Sequence, residues 1–151
     1  IVAVLVGWAL YILDGASAIV TSNIAWTYQL HGTMWQSGHF MTVVLSMSMM
    51  WMGVLYHHYP VLTGRKLDPA LGYLYVKLIS VGSLGAAIVM LAGGAAGMPR
   101  RFADWHPEGW MLYGNLILAF GLIIGASFAV YLYNLMKSRE ISAPMGELAR
   151  A

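Results

Sequence analysis

Five side chains in this sequence have the type and the setting to do chemistry: His31, His39, Met41, Arg100 and Arg101. The two histidines stand eight residues apart in "HGTMWQSGHFM", residues 31–41, at the entrance of a long apolar run. Neutral imidazole ligates a metal ion or haem iron. Gly38 leaves room for something bulky beside His39, and Phe40 and Met41 show that the polar interface is already left behind. The Met41 thioether is a second candidate ligand, although methionine commonly fills packing gaps and the same run holds Met47, Met49, Met50 and Met52. Two residues on a helix turn about 200° and rise about 3 Å, so His39 and Met41 point to opposite faces. They cannot share one metal, but each could serve a different one. Arg100 and Arg101, in "GMPRR", carry forks that pair bidentately with carboxylate or phosphate. The residues alone leave open whether that partner is lipid phosphate or a buried anionic ligand.

These side chains need a scaffold, and composition says which kind. Of 151 residues, 60% are hydrophobic and 9% charged, with a mean hydropathy of +0.69. Soluble domains carry about a quarter charged residues, so most of this surface does not face water and the chain reads as an integral membrane protein. A net charge of +2 is too small and too scattered to hold nucleic acid. Without cysteine there are no disulfides, iron–sulfur clusters or thiolate zinc sites. Histidine, methionine, carboxylate and backbone oxygen remain as ligands.

A helix needs roughly 20 apolar residues to cross a hydrocarbon core of about 30 Å. Four segments meet that length: 1–20, 39–59, 69–96 and 110–136. The fold class expected is therefore all-α, a membrane bundle of four transmembrane helices over residues 1–137, followed by a polar tail, 138–151. Asp68 and Pro69 suit the start of the third span, Asp as N-cap and Pro in the first turn. The opening "IVAVLVGWAL" is apolar from residue one, with neither an initiator Met nor the basic start of a signal peptide. It reads as a cut through an existing span, and the chain as a fragment.

Arg65 and Lys66 lie in the second connection, and Lys137, Arg139 and Arg150 in the tail; the first connection has no Lys or Arg. The positive-inside rule places the second connection and the tail in the cytoplasm. His31, His39 and the arginine pair then share the outer side, the arginines against the charge bias. Tyr56, Tyr59, Tyr73, Trp105, Trp110, Tyr131 and Tyr133 suit interfacial anchoring. Lys77 can snorkel to the cytoplasmic side, and Asp14 is an intramembrane acid, a functional candidate by default. His57 and His58 read as interfacial, and Asp104 and His106 as neighbours of the arginine pair.

"HGTMWQSGHFM", "YPVLTGRKL" and "GGAAGMPRRFADW" resemble, in order and spacing, the C-terminal part of subunit I of the haem–copper oxidases. The likeness runs over about residues 22–137, and the four spans correspond to the ninth to twelfth of that family's twelve. It implies a piece of a respiratory terminal oxidase, reducing O2 to water with electrons from cytochrome c or quinol and moving protons. By the resemblance His39 matches the axial ligand of the high-spin haem, where oxygen is reduced beside copper. Met41 stands where the family has the histidine ligand of the low-spin haem. Arg100 and Arg101 match the pair that holds haem propionates, which accounts for their place against the charge bias. His31 matches a histidine near the propionates and a magnesium or manganese site.

Two positions depart from the pattern. The family has histidine where this chain has Met41, and a methionine–histidine pair would raise the low-spin haem's potential relative to two histidines. It has aspartate where this chain has Gly32, so a hard cation, which wants oxygen ligands, loses a carboxylate there. The copper ligands, the second low-spin ligand and the proton-input lysine belong to earlier helices of the family. The partners implied are the remainder of subunit I, subunits II and III, cytochrome c or quinol, and the bilayer of the cell (inner or plasma) membrane. The fragment alone is expected to be inactive. The alternatives are a nitric oxide reductase-type relative and a redox-inactive membrane scaffold.

Overall fold

The computed structural model describes residues 1–101 and 108–140. Its elements run α1 (Val2–Ser22), α2 (Ile24–Leu30), α3 (Met34–Thr63), β1 (Arg65–Lys66), α4 (Pro69–Ala95), α5 (Glu108–Met136) and β2 (Arg139–Glu140). Four of the described helices, α1, α3, α4 and α5, are long and apolar enough to cross a membrane. The fold is an all-α membrane bundle. α1 packs on α3, α3 on α4 and α4 on α5, in a row. Large apolar side chains such as Trp8, Ile12, Trp51, Leu118 and Leu122 stay on exposed faces, as befits helices whose solvent is hydrocarbon.

Small residues set the helix spacing. α1 buries Ala3, Gly7, Leu10, Asp14 and Ser17, a stripe spaced by fours and threes that holds one face against a neighbour. A Cβ on Gly7 would lie 2.8 Å from the Ser46 carbonyl oxygen of α3, and one on Gly38 would lie 2.9 Å from Cβ of Met90 on α4. Close backbone approach of this kind is how helices associate in lipid, where no hydrophobic force drives them together. Between α4 and α5 the same role falls to Gly82, whose Cβ would meet the Ile124 amide at 3.1 Å.

Several local features differ from the sequence expectation. The first connection contains a helical turn, α2, capped by Asn23, whose Oδ1 accepts from the Ala25 amide at 3.0 Å. α3 starts at Met34 behind the Thr33 cap, so His39 lies more than a turn inside the helix and not at its mouth. α3 also runs on through Pro60. Proline removes one N–H and crowds the carbonyl four residues back, yet the helix continues for a last turn, where the Thr63 hydroxyl donates to the Tyr59 carbonyl at 2.7 Å, and Gly64 ends it at φ 65°. Asp68 and Pro69 start α4 as expected, the Asp68 carboxylate accepting from the Ala70 amide at 2.9 Å. Tyr131 belongs to the core, packed on Tyr75 with ring centroids 5.1 Å apart, and is not an interfacial anchor. Lys77 is exposed.

At the end of the bundle away from His39, β1 pairs antiparallel with β2, Arg65 opposite Glu140 and Lys66 opposite Arg139. The buried Asn134 accepts from the Asp68 amide at 2.8 Å and donates to the Asp68 carbonyl at 2.9 Å. Its one amide therefore ties the last turn of α5 to the start of α4.

Gly94 offers the sharpest packing test, since a Cβ there would come to 2.0 Å from the Trp35 backbone nitrogen. Backbone cannot swing away as a side chain does. Gly94→Ala should destabilise by at least the about 1–3 kcal/mol usual for overpacking, read as a lower unfolding temperature in detergent. Gly15→Ala, where a Cβ meets nothing within 4 Å, should leave that temperature unchanged or raised.

Candidate functional site

The chemistry gathers at the end of the bundle where α1 finishes, α3 begins and α4 finishes. The connection before α3 and the connection after α4 are zipped together by a short antiparallel bridge between Thr33 and Pro99. The Met34 amide donates to the Met98 carbonyl at 2.8 Å, and the Arg100 amide donates to the Gly32 carbonyl at 2.9 Å. Gly32 and Gly97 permit this by turning at φ 79° and 88°, a region open to glycine without steric cost. The two motifs, some sixty residues apart in the chain, thus share one rim.

Arg100 is half-buried and Arg101 exposed. Arg101 has φ 59°, uncommon for a residue with a Cβ and often a mark of functional placement. Neither guanidinium has a hydrogen-bonding or ionic partner among the described residues. Two forks with no partner among the described residues therefore stand beside the histidine loop. Asp104 and His106, expected as their neighbours, lie outside the described residues.

His31 is exposed, and its ring is held by Gln36. The Gln36 Oε1 accepts from the Gly32 amide at 3.3 Å, which orients the amide so that Nε2 donates to His31 Nδ1 at 3.0 Å. The lone pair of Nδ1 is then occupied and the proton sits on Nε2. His31 in this state is a hydrogen-bond donor at its outer nitrogen. The described residues contain no group of three or more histidine, aspartate or glutamate side chains arranged around a metal.

His39 is set the opposite way. Its Nδ1 lies 2.9 Å from Asp14 Oδ2 and 2.8 Å from Ser17 Oγ, across the α1–α3 interface. Ser17 Oγ in turn donates to Asp14 at 2.9 Å. A carboxylate only accepts, so Nδ1 carries the proton and Nε2 keeps its lone pair. Nε2 has no partner among the described residues. The Asp14 side chain is 4% exposed and that of His39 31%, so the acid is sealed inside and the imidazole reaches outward from it. In the sequence Asp14 stands out only as an intramembrane acid, a functional candidate by default, and Ser17 carries no signal.

Met41 lies about 200° around α3 from His39 and is exposed, together with Phe40, Val44, Met47 and Trp51. These form an open apolar face with a thioether near its top. Nearby, Trp26, Gln29, Leu30, Trp35, Gly94 and Gly97 help to line a cavity of about 370 Å³. Trp35 helps to line it, and its indole N–H is buried without an acceptor among the described residues.

The model of the family described as cytochrome c and quinol oxidase polypeptide I matches residues 1–124. The chain belongs to that family. It is 30% identical over 133 residues to cytochrome c oxidase subunit 1 of Thermostichus vulcanus, covering 86% of this chain and 24% of that protein. A probable cytochrome c oxidase subunit 1-alpha of Streptomyces avermitilis is 25% identical over 138 residues, covering 90% and 24%. Cytochrome c oxidase polypeptide 1 of Halobacterium salinarum is 28% identical over 129 residues, covering 85% and 22%. The chain thus spans about a quarter of the length of these curated relatives. Members of this oxidase family bind haems and copper, and the donor set fits haem: an imidazole whose Nε2 has no partner among the described residues, a thioether on an apolar face, and two arginines with no partner among those residues.

The Gln36 contact fixes the His31 tautomer, which selective ¹⁵N-histidine labelling reads directly. The His31 ring should carry its proton on Nε2 in the native chain, and Gln36→Leu should turn it into a mixture of tautomers. An Nδ1–H ring in the native chain would contradict this arrangement.

Proposed function

We infer that this chain is part of the catalytic subunit of a respiratory terminal oxidase, reducing O2 to water with electrons from cytochrome c or quinol and coupled to proton translocation. The observation that carries the reading is the Thr33–Pro99 bridge, which brings two arginine forks, without partners among the described residues, to the rim at the His39 end of α3. Relatives named as cytochrome c oxidases favour oxygen over nitric oxide as the substrate. The hydrogen-bonded carboxylate behind His39, which leaves Nε2 free, argues against a scaffold that has lost its redox role.

Haem, when bound, supplies an iron that exchanges electrons and activates oxygen. The chain's own residues do the positioning. His39 would hold the high-spin haem through Nε2, and Met41, on the other face of α3, would hold the low-spin haem through its sulfur. One helix thereby serves both groups, as ligands on opposite faces require. Arg100 and Arg101 pair with the propionates, which neutralises charge at the membrane edge. His31 suits the same carboxylates through its Nε2–H. A magnesium or manganese ion at His31 would have to draw its oxygen ligands from elsewhere, since Gly32 brings none. Copper would be held by residues outside this chain. The tail and the Arg65–Lys66 connection face the cytoplasm, the haem-side loops face outward, and the remainder of subunit I with subunits II and III completes the enzyme in the cell membrane.

A pyridine haemochrome assay on the intact subunit tests the reading. Two haems are expected in the native subunit and one after His39→Ala; no haem in the native subunit would overturn it. Met41 is tested separately by the low-spin spectrum. The native enzyme should show methionine–histidine ligation, and Met41→His should replace it with a bis-histidine signature and lower that haem's potential. A bis-histidine signature already present in the native enzyme would remove Met41 from the iron.

A further inference from the structure

We propose that Asp14 and Ser17 are positioning residues that set the strength of the bond between His39 and haem iron. The proposal rests on the assignment of His39 as an axial ligand and goes beyond it. Three distances carry it: Asp14 Oδ2 to His39 Nδ1, 2.9 Å; Ser17 Oγ to the same nitrogen, 2.8 Å; and Ser17 Oγ to Asp14 Oδ1, 2.9 Å. Asp14 and Ser17 are both buried and lie one turn apart on the stripe of α1 that faces α3. Nothing else among the described residues bonds to the Asp14 carboxylate. Its partners are these two groups.

The chemistry follows from a ligating imidazole having two nitrogens. A hydrogen bond from Nδ1–H to a carboxylate fixes the ring's tautomer and rotation, and it makes Nε2 a stronger base. A carboxylate does this more strongly than a neutral acceptor, because a charge-assisted hydrogen bond is roughly twice as strong. The buried negative charge also favours the ferric over the ferrous iron, lowering the midpoint potential, in a medium where screening is weak. The Ser17 hydroxyl donates to the carboxylate and holds it in the plane where it meets Nδ1. Electron density thus passes from Asp14 through His39 to the metal, with no proton required to move.

A packing role makes a different prediction. An acid that only fills its place in the α1–α3 interface would leave the iron–histidine vibration alone when replaced by its isostere. The test is resonance Raman spectroscopy of the ferrous high-spin haem in the purified oxidase, with a redox titration of the same haem. In Asp14→Asn, which keeps shape and an acceptor but removes the charge, the iron–histidine stretch should move to lower frequency and the midpoint potential should move upward. Haem retention should weaken by about 10- to 100-fold, as is usual when an outer partner of a ligating histidine is lost. Ser17→Ala should shift the stretch the same way by a smaller amount, and it serves if Asp14→Asn does not assemble. An unchanged stretch and potential in either variant overturns the proposal while leaving His39 on the iron. A native spectrum with no iron–histidine band overturns the proposal together with the assignment of His39.

Discussion

A carboxylate buried among membrane-spanning helices must find a proton donor, because leaving it unpaired in a low-dielectric interior costs several kcal/mol. Asp14 meets that requirement with His39 and Ser17, and much of the structure's upper half follows from the pairing. It fixes the rotation of α1, since Asp14 must face α3. It fixes the register of α1 on α3, since Nδ1 accepts little latitude in distance or angle. It also decides which nitrogen of His39 is left over. The stripe of Ala3, Gly7, Leu10, Asp14 and Ser17 supplies the close contact that holds this geometry.

The two ends of the bundle are built differently, in keeping with different tasks. One end is tied largely by side chains: Asn134 on the Asp68 backbone, Arg65 Nε on the Ser138 hydroxyl at 2.9 Å, with the short β1–β2 pair beside them. Asn134 and Arg65 meet their partners within the chain there, whereas the buried Tyr75 hydroxyl has none among the described residues. The other end is tied mainly by backbone, through the Thr33–Pro99 bridge, and among the described residues Arg100, Arg101 and the Trp35 indole have no acceptor. Donors left unpaired near a buried region are costly unless a ligand takes them. The open end is therefore the one suited to an anionic group.

Much of this was legible in the sequence, and what was not has physical reasons. The four spans follow from apolar length, and the "HGT…HFM" and "GMPRR" motifs stand out because histidines and paired arginines are unusual beside apolar runs. That the two motifs touch is a property of a helix pair and of two glycine turns, which no local pattern reports. Asp14 was visible as an acid in a span, but its partner lies twenty-five residues away on another helix and depends on how both are rotated. α2 was missed because seven residues with polar Thr27 and Gln29 show no span-like run. Pro60 was read as a stop although a helix near its end tolerates one missing N–H. Tyr131 looked like an anchor because span ends favour tyrosine, whereas its neighbours Tyr75 and Phe128 draw it into the core.

The central claim is that His39, held at Nδ1 by α1, gives Nε2 to haem iron. Electron paramagnetic resonance of the nitric oxide adduct of the ferrous enzyme, with histidine labelled by ¹⁵N, tests it most directly. The account predicts superhyperfine splitting from a histidine nitrogen trans to nitric oxide, changed by the label and lost in His39→Ala. A signal insensitive to the label, or one that survives His39→Ala, would contradict it.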